Sequence, residues 1–527
     1  MLRRWIVLIM VCTVVMAASL VAFGVDSDRT FVLMRWEQAV SLDPAWEMTA
    51  GGEYMHGIAY EGLLKFVDGE MELEPCLATS YQVAEDGLSY TFQLREGVTF
   101  HDGTPFNAEA VKYSWDRLKA LEYPVSTYIE GYSHAETNGD YEITLYLEKP
   151  NTAFIWGITW VKIISATAAR ENEVDGDWGA AYYQNHMVGT GPYMLDHWDP
   201  CCEILWVRYP DYWRGWDGKH LHSIMFKVVR EPSTRRLLLE SGEADMDAQT
   251  LISDIPATIA NPDLEFHQWP SLGIAQIMMS TNGDTPLTDI RVREAMAYAF
   301  NYDQMIDGIM EGLAFPAQGP LNPAYDEHDS TIKVYEQDLG EAARLLDEAG
   351  WILPPGKDVR EKDGALLKLT YTVVQNLQLE IDAGLMFQQD LASIGVELEI
   401  VEMAWATLVA GNRNCATGPD MGFLFSGGNN PDPYNSLVGP WHTGGYYDWS
   451  CMTNPELDDV IDTALATMDY DQRKLMYQEA QRIIADYVPA IWVMTNASYR
   501  AARSWVHGYK PNPADEFLTN FYTMWIE

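Results

Sequence analysis

Three features of this sequence predict an α/β fold. The second half alternates strand and helix signals, which implies crossover units in a βα-rich sheet. The first half carries strands of strict apolar–polar alternation between Gly-rich turns. With 527 residues, 47% of them hydrophobic, the chain can bury a large core and form two to four domains of about 100–200 residues each.

In chain order, Met1–Arg4 is a short basic leader and Trp5–Val21 is apolar apart from isolated Ser, Thr and Cys. Ala22 and Gly24 offer small residues at the two positions a signal peptidase reads. Residues 1–24 are therefore read as a secretory signal cleaved after Gly24, with a retained membrane anchor as the alternative. The remaining chain is then soluble and exported. Phe31–Arg35 is the first expected strand, leading to a loop over Trp36–Trp46 with a turn at Ser41–Pro44. Tyr90–Arg95 alternates as a strand, and Val98–Phe100 is expected as a second strand between the Glu96-Gly97 and His101–Gly103 turns. Asn107 caps a helix with Val111, Trp115 and Leu118 on one face. Tyr141–Leu147 is a further strand. Gly189–Tyr193 breaks the chain before another, and Met194 at its sixth position excludes a dinucleotide fingerprint.

In the second half, Asp289 caps a helix carrying Val292, Ala295, Met296 and Ala299. Asp338 caps one with Ala342, Leu345 and Leu346, ended by Gly350. Leu366–Val374 reads as a strand, Gln378–Ile394 as a helix closed by Gly395, and Val396–Val401 as the next strand. Met421–Phe425 is an apolar strand that runs into the loop Ser426–Tyr434. Asn454 then starts the late helices with Pro455 in the first turn.

Charge and motifs exclude several functions. There are 34 basic and 77 acidic residues, a net charge of -43, which argues against nucleic acid and anionic membranes as partners. The acids are spread along the chain as a solvated surface, and arginine outnumbers lysine; both fit adaptation to high salt. No Gly-x-Ser-x-Gly, His-Glu-x-x-His or phosphate-loop motif is present, so the chain is read as a non-enzyme without a cofactor. A glycosidase built on two carboxylates is the remaining enzymatic alternative. Cysteine spacing gives no zinc site, and the 11 histidines are read as offering no close ligand pair, which disfavours nickel. Cys415 and Cys451 flank a Gly/Asn/Pro-rich region and are expected to staple it. Vicinal Cys201 and Cys202 are expected not to pair with each other, leaving Cys76 to pair with one of them.

Several blocks resemble one family in collinear order. They are Ala78–Phe106, Gly189–Tyr193, Pro286–Ala295, Ala342–Leu346 with Gly350-Trp351, and Asn430–Pro433. Together they resemble the extracellular solute-binding proteins of ABC importers, in the class that takes peptides, nickel and some oligosaccharides. The resemblance runs from about Val32 to the C-terminus. It implies a type II periplasmic-binding-protein fold: two lobes joined by a hinge, with an extra subdomain inserted in lobe I. The implied boundaries are 25–59 and 189–270 for lobe I, 60–188 for the subdomain, 271–489 for lobe II and 490–527 for a return to lobe I. The crossings would fall near Pro270 and Pro489. It also implies a monomer that hands its ligand to a permease.

The implied ligand residues are Gly428, Asn429, Asn430 and Asp432 of the loop after Met421–Phe425, with Trp36, Trp46, Trp405 and Trp441 as ring platforms in or near cleft loops. Glycine lets backbone approach a ligand, and asparagine offers donor and acceptor together. Many peptide binders of the family carry an Asp where Asn429 stands here, pairing with the ligand ammonium. A neutral Asn429, with 19 Trp and 29 Tyr in the chain, keeps an oligosaccharide open beside a di- or oligopeptide.

Overall fold

Two long strands organise the molecule. In the computed structural model, which describes residues 29–37, 39–46, 53–375, 377–427, 431–514 and 519–527, Leu264–Met279 and Ala490–Arg503 lie antiparallel at the middle of a ten-stranded sheet. On one side follow Met421–Ser426, Lys368–Val374 and Glu397–Met403. On the other follow Met246–Asp247, Thr30–Arg35, Ser223–Val228, Glu203–Arg208 and Tyr193–Asp199. The secretory signal expected over residues 1–24 lies outside the described residues.

Each half of the sheet has a parallel centre. Thr30–Arg35 runs parallel to Ser223–Val228 and Met246–Asp247, and Lys368–Val374 runs parallel to Glu397–Met403 and Met421–Ser426. Parallel pairs need crossovers, and the helix Gln378–Ser393 supplies the one between Lys368–Val374 and Glu397–Met403. In the second half both faces of the sheet are covered, which the two-residue period of a strand makes explicit. Ala275, Ile277 and Met279 join Val292, Leu346 and Phe387 of the helices Ile290–Ala299, Leu339–Glu348 and Gln378–Ser393. Ile274 and Met278 point the other way, joining Leu437, Ile461 and Tyr477 of Pro433–Trp441, Pro455–Ala466 and Tyr470–Tyr487.

The first half shares its core with a smaller sheet. Ala78–Val83, Ser89–Leu94, Glu142–Leu147 and Tyr132–Thr137 form a four-stranded antiparallel sheet. Tyr90, Phe92 and Leu94 point inward beneath the helix Ala108–Leu121, whose Val111, Trp115 and Leu118 are buried as its spacing predicts. Asn107 caps that helix by accepting from the Ala110 N–H. The same core includes Phe31, Trp206 and Phe226 of the large sheet. Gly189 and Gly191 pack so close to Ala59 that a Cβ at either would overlap its backbone, which explains the glycines of Gly-Thr-Gly-Pro-Tyr.

Three local expectations are corrected. Val98–Phe100 is not a strand; Thr99 makes a single bridge to Pro105, because the two flanking turns leave too few residues for a ladder. Leu366 belongs to a separate two-residue strand, Ala365–Leu366, and the main strand starts at Lys368. Cys201 and Cys202 are disulfide-bonded to each other: they sit at the tip of the hairpin joining Tyr193–Asp199 to Glu203–Arg208. Cys76 is buried elsewhere, its thiol donating to Glu61, and stays free. Cys415 and Cys451 are joined as expected.

The ladder of the long strands marks the crossing between halves. It is regular from Leu264 to Pro270 and again from Gln276, with register shifts between Pro270 and Ile274 and between Ala275 and Gln276. Pro270 faces Ala497. Pro489 lies in the second half, where its carbonyl accepts from the Met279 N–H at 2.8 Å.

Candidate functional site

The register fixes where the two halves present their loops. Ser426, the end of a parallel strand in the second half, pairs with Ile274, and Asp247, the end of one in the first half, pairs with Ala501. Both partners flank the Pro270–Ala497 crossing, so the carboxyl ends of both parallel groups point toward it. Ligand crevices in α/β sheets form outside the carboxyl ends of strands, where connections leave in opposite directions. The second half has such a point: Glu397–Met403 and Met421–Ser426 lie on opposite sides of Lys368–Val374.

Exposed rings sit at these strand ends. Trp36 follows Arg35 and is 43% exposed; Trp405 follows Met403 by two residues and is 44% exposed. Leu377 and Phe425, near the ends of the two neighbouring strands, are also exposed. Sequence reading missed both, although the apolar run Met421–Phe425 could have signalled Phe425, since its last ring lies where the strand leaves the sheet. Trp46 is exposed against the edge of Tyr123 at 4.8 Å. Trp441 is placed differently. It is 1% exposed and packs in the core around Ile274, Leu424 and Ile461, so its ring offers no platform.

Trp405 belongs to an aromatic group. Its ring lies 6.0 Å from Trp449 and 6.4 Å from Tyr447, and Tyr447 meets Tyr446 at 4.8 Å. The Cys415–Cys451 disulfide ties this group together: Cys415 follows the helix Trp405–Asn412, and Cys451 follows Trp449. A cross-link there holds two loop segments that share little regular structure.

The loop after Ser426 is anchored at both ends. Gly427 has φ +81°, and a Cβ on it would meet the Ser436 Oγ at 2.8 Å, so glycine is required both for conformation and for space. Asp432 caps the helix Pro433–Trp441, its Oδ1 accepting from the Tyr434 N–H at 2.9 Å and the Tyr477 hydroxyl at 3.0 Å. It is buried, and desolvation pushes its carboxyl above the usual range. Asp432 is thus engaged by the helix start and by Tyr477. Gly428, Asn429 and Asn430 lie outside the described residues. At the root of the loop, Gln276 Nε2 donates to Ser426 Oγ at 2.7 Å. Further along the return strand, opposite His267, Arg500 is buried with its guanidinium 5.3 Å from the Trp269 ring.

No metal centre emerges among the described residues. Asp199, Cys201 and Cys202 are close enough to share an ion, but the two sulfurs are bonded to each other. One close histidine pair does exist in the sequence, His220 and His222. Both ring nitrogens of His220 contact backbone carbonyls, of Tyr522 at 2.6 Å and Asp217 at 3.0 Å, which engages that ring away from any ion. No described helix is long and apolar enough to cross a membrane.

Two lobes whose parallel strands aim their carboxyl ends at a common hinge define a binding protein of the type II periplasmic class. The chain belongs to the bacterial extracellular solute-binding proteins, family 5, whose middle region matches residues 72–448. It is 26% identical over 520 residues to heme-binding protein A of Haemophilus influenzae, covering 93% of this chain and 91% of that one. It is 27% identical over 528 residues to the glutathione-binding protein GsiB of Pectobacterium atrosepticum, covering 97% and 96%. Among solved structures it is similar to the ABC transporter-associated periplasmic binding protein DppA from Helicobacter pylori in complex with peptide STSA. That match has a TM-score of 0.79 and 26% identity, covering 95% of this chain and 98% of that one.

Proposed function

We propose that this protein captures a di- or oligopeptide between its two lobes and delivers it to the permease of an ABC uptake transporter. The observation that carries the reading is that Trp36 and Trp405 are exposed just past the carboxyl ends of parallel strands, one in each half. Closure around a ligand there would bury both rings. The peptide-bound and glutathione-binding relatives support this ligand class. Gly428, Asn429 and Asn430 are the further residues assigned to the ligand in this reading. An oligosaccharide is the second reading, favoured by the neutral Asn429 and the exposed tryptophans, since rings stack on sugar faces. The protein would act as an exported monomer, in the periplasm or at the cell surface, with residues 1–24 removed.

Thermal-shift measurements on ligand-stripped protein test the reading. The panel pairs di- to pentapeptides with cello-, xylo- and manno-oligosaccharides. A ligand that binds only the folded state raises the melting point by mass action. Shifts with peptides support the first reading, shifts with sugars alone replace it with the second, and no shift with either removes both. With the active ligand, Trp405→Ala should weaken binding by about tenfold, in the range of aromatic contacts worth about 0.5–1.5 kcal/mol beyond burial. Unchanged affinity would remove Trp405 from the site.

A further inference from the structure

A cavity of about 100 Å³ opens between the segment around Glu61 and Lys65 and the C-terminal residues Lys510, Asn512 and Tyr522. At about 10–15 Å³ per water, it has room for several waters or one small solute. None of Trp36, Trp405 and Gly427 lines it. Four cations (Lys65, Lys162, Arg214, Lys510) and two carboxylates (Glu61, Asp68) line it, in a protein where acids outnumber bases 77 to 34; Lys65 is paired with Glu74 at 2.7 Å and Lys162 donates to the Thr159 carbonyl, which leaves Arg214 and Lys510 to meet a ligand.

The carboxylates are already occupied. Glu61 accepts from the Tyr212 hydroxyl, the Trp213 indole and the Thr190 hydroxyl, each at 2.9 Å, and from the Cys76 thiol. Asp68 accepts from the Asn520 amide through both oxygens. Arg214 is favoured electrostatically by the nearby Glu61 carboxylate but has few hydrogen bonds. Among the described residues its guanidinium has one hydrogen-bond contact, to the Cys76 sulfur at 3.9 Å, and its Nε is buried with no partner. Its face is 4.5 Å from Trp213, a ring that Arg95 also approaches at 4.1 Å. Burial pushes the Cys76 thiol up to about 12, so the sulfur is neutral and compensates no charge. A guanidinium presents five donors in a planar fork that matches oxyanions, and leaving such donors buried and unpaired is costly.

We propose that this cavity is a binding site for a small oxyanion of the phosphate or sulfate class, held by Arg214 with Lys510 at its exposed rim. An anion there would join the start of the inserted segment to the C-terminal segment and so stabilise the first lobe.

The test uses the mature protein and inorganic phosphate at constant ionic strength set with NaCl. Calorimetry should show saturable binding, and the melting point should exceed that in NaCl alone. Arg214→Met should abolish the calorimetric signal, and Lys510→Gln should raise Kd by about three- to tenfold, as loss of one rim charge implies. General stabilisation by an excluded salt would act equally on all three proteins. Absence of saturable heat in the wild type, or the same Kd in both variants, overturns the proposal. Should Arg214→Met fail to fold, the exposed Lys510 decides alone. Affinity for the cleft ligand should be the same in Lys510→Gln and wild type.

Discussion

Glu380 shows how one buried group sets a pH dependence. It lies in the first turn of Gln378–Ser393 and is 3% exposed, and its carboxylate accepts from the Val374 N–H at 2.7 Å. It thereby pins the helix start to the end of a parallel strand beside the cleft. Burial outweighs that single bond and pushes the carboxyl up to about 7 from an ordinary 4.5. Because the folded value is raised, the group's stabilising contribution is complete below about 4.5 and is lost as pH rises through about 7. Glu380→Gln keeps an acceptor for Val374 without the charge. It should stabilise the protein at pH 8 by about 1–3 kcal/mol, on the scale of 1.36 kcal/mol per unit. The gain should shrink toward pH 5, where the wild-type carboxyl is neutral in the fold. Urea unfolding at both pH values checks this, and a variant no more stable than wild type at pH 8 would refute it. At this scale the sequence was a partial guide. Caps such as Asn107, Asp289, Asp338 and Asn454 were legible because their bonds are local. The fates of Trp405 and Trp441 were not, because exposure depends on contacts far away in sequence.

Elements place the smaller sheet against both lobes. The segment following Glu142–Leu147 reaches the second half: the Thr152 N–H and Oγ1 both donate to the Leu465 carbonyl, at 3.0 and 3.1 Å. Ala153 packs into the core of Pro455–Ala466, and Gly87 faces Met468. These contacts join the four-stranded sheet to the second lobe; if a ligand is enclosed between the lobes as proposed, they would help hold the closed arrangement. Thr152→Val preserves shape and the backbone bond but removes the hydroxyl bond, worth about 0.5–1.5 kcal/mol. A ligand that selects the closed arrangement should then dissociate about two- to tenfold faster, with the melting point of free protein nearly unchanged. Stopped-flow release of bound ligand reads this directly, and an unaltered off-rate would show that the bond persists when the lobes part. The strand–helix–strand unit around Gln378–Ser393 was legible from periodicity. The strand Leu264–Met279 was not, since Pro270 breaks the pattern and the strand is held by a partner more than two hundred residues away.

For the whole molecule, the hinge and the excess of acid act together. That the two parallel groups aim at one crossing follows from pairs such as Pro270 with Ala497, which no local pattern encodes; collinear resemblance supplied the two-lobe architecture instead. Charge, by contrast, is legible at once. A net charge of -43 makes the compact state repel itself, and ion pairs such as Arg117–Asp43 and Arg235–Asp247 leave most carboxylates uncompensated because bases are too few. Screening should relieve this repulsion: the Debye length falls from about 30 Å at 0.01 M salt to about 3 Å at 1 M. Stability measured in urea should therefore rise between 0.01 and 0.5 M NaCl, and chloride is the right anion because sulfate would add its own exclusion effect. Surface pairs such as Arg344–Glu348 weaken over the same range, but exposed pairs contribute only about 0–1 kcal/mol each. If the midpoint instead stays flat or falls, local pairing outweighs long-range repulsion and high-salt adaptation is excluded. If it rises, closure should also become easier with salt, since it brings two acidic lobes together, and affinity for an uncharged ligand should increase in parallel with stability.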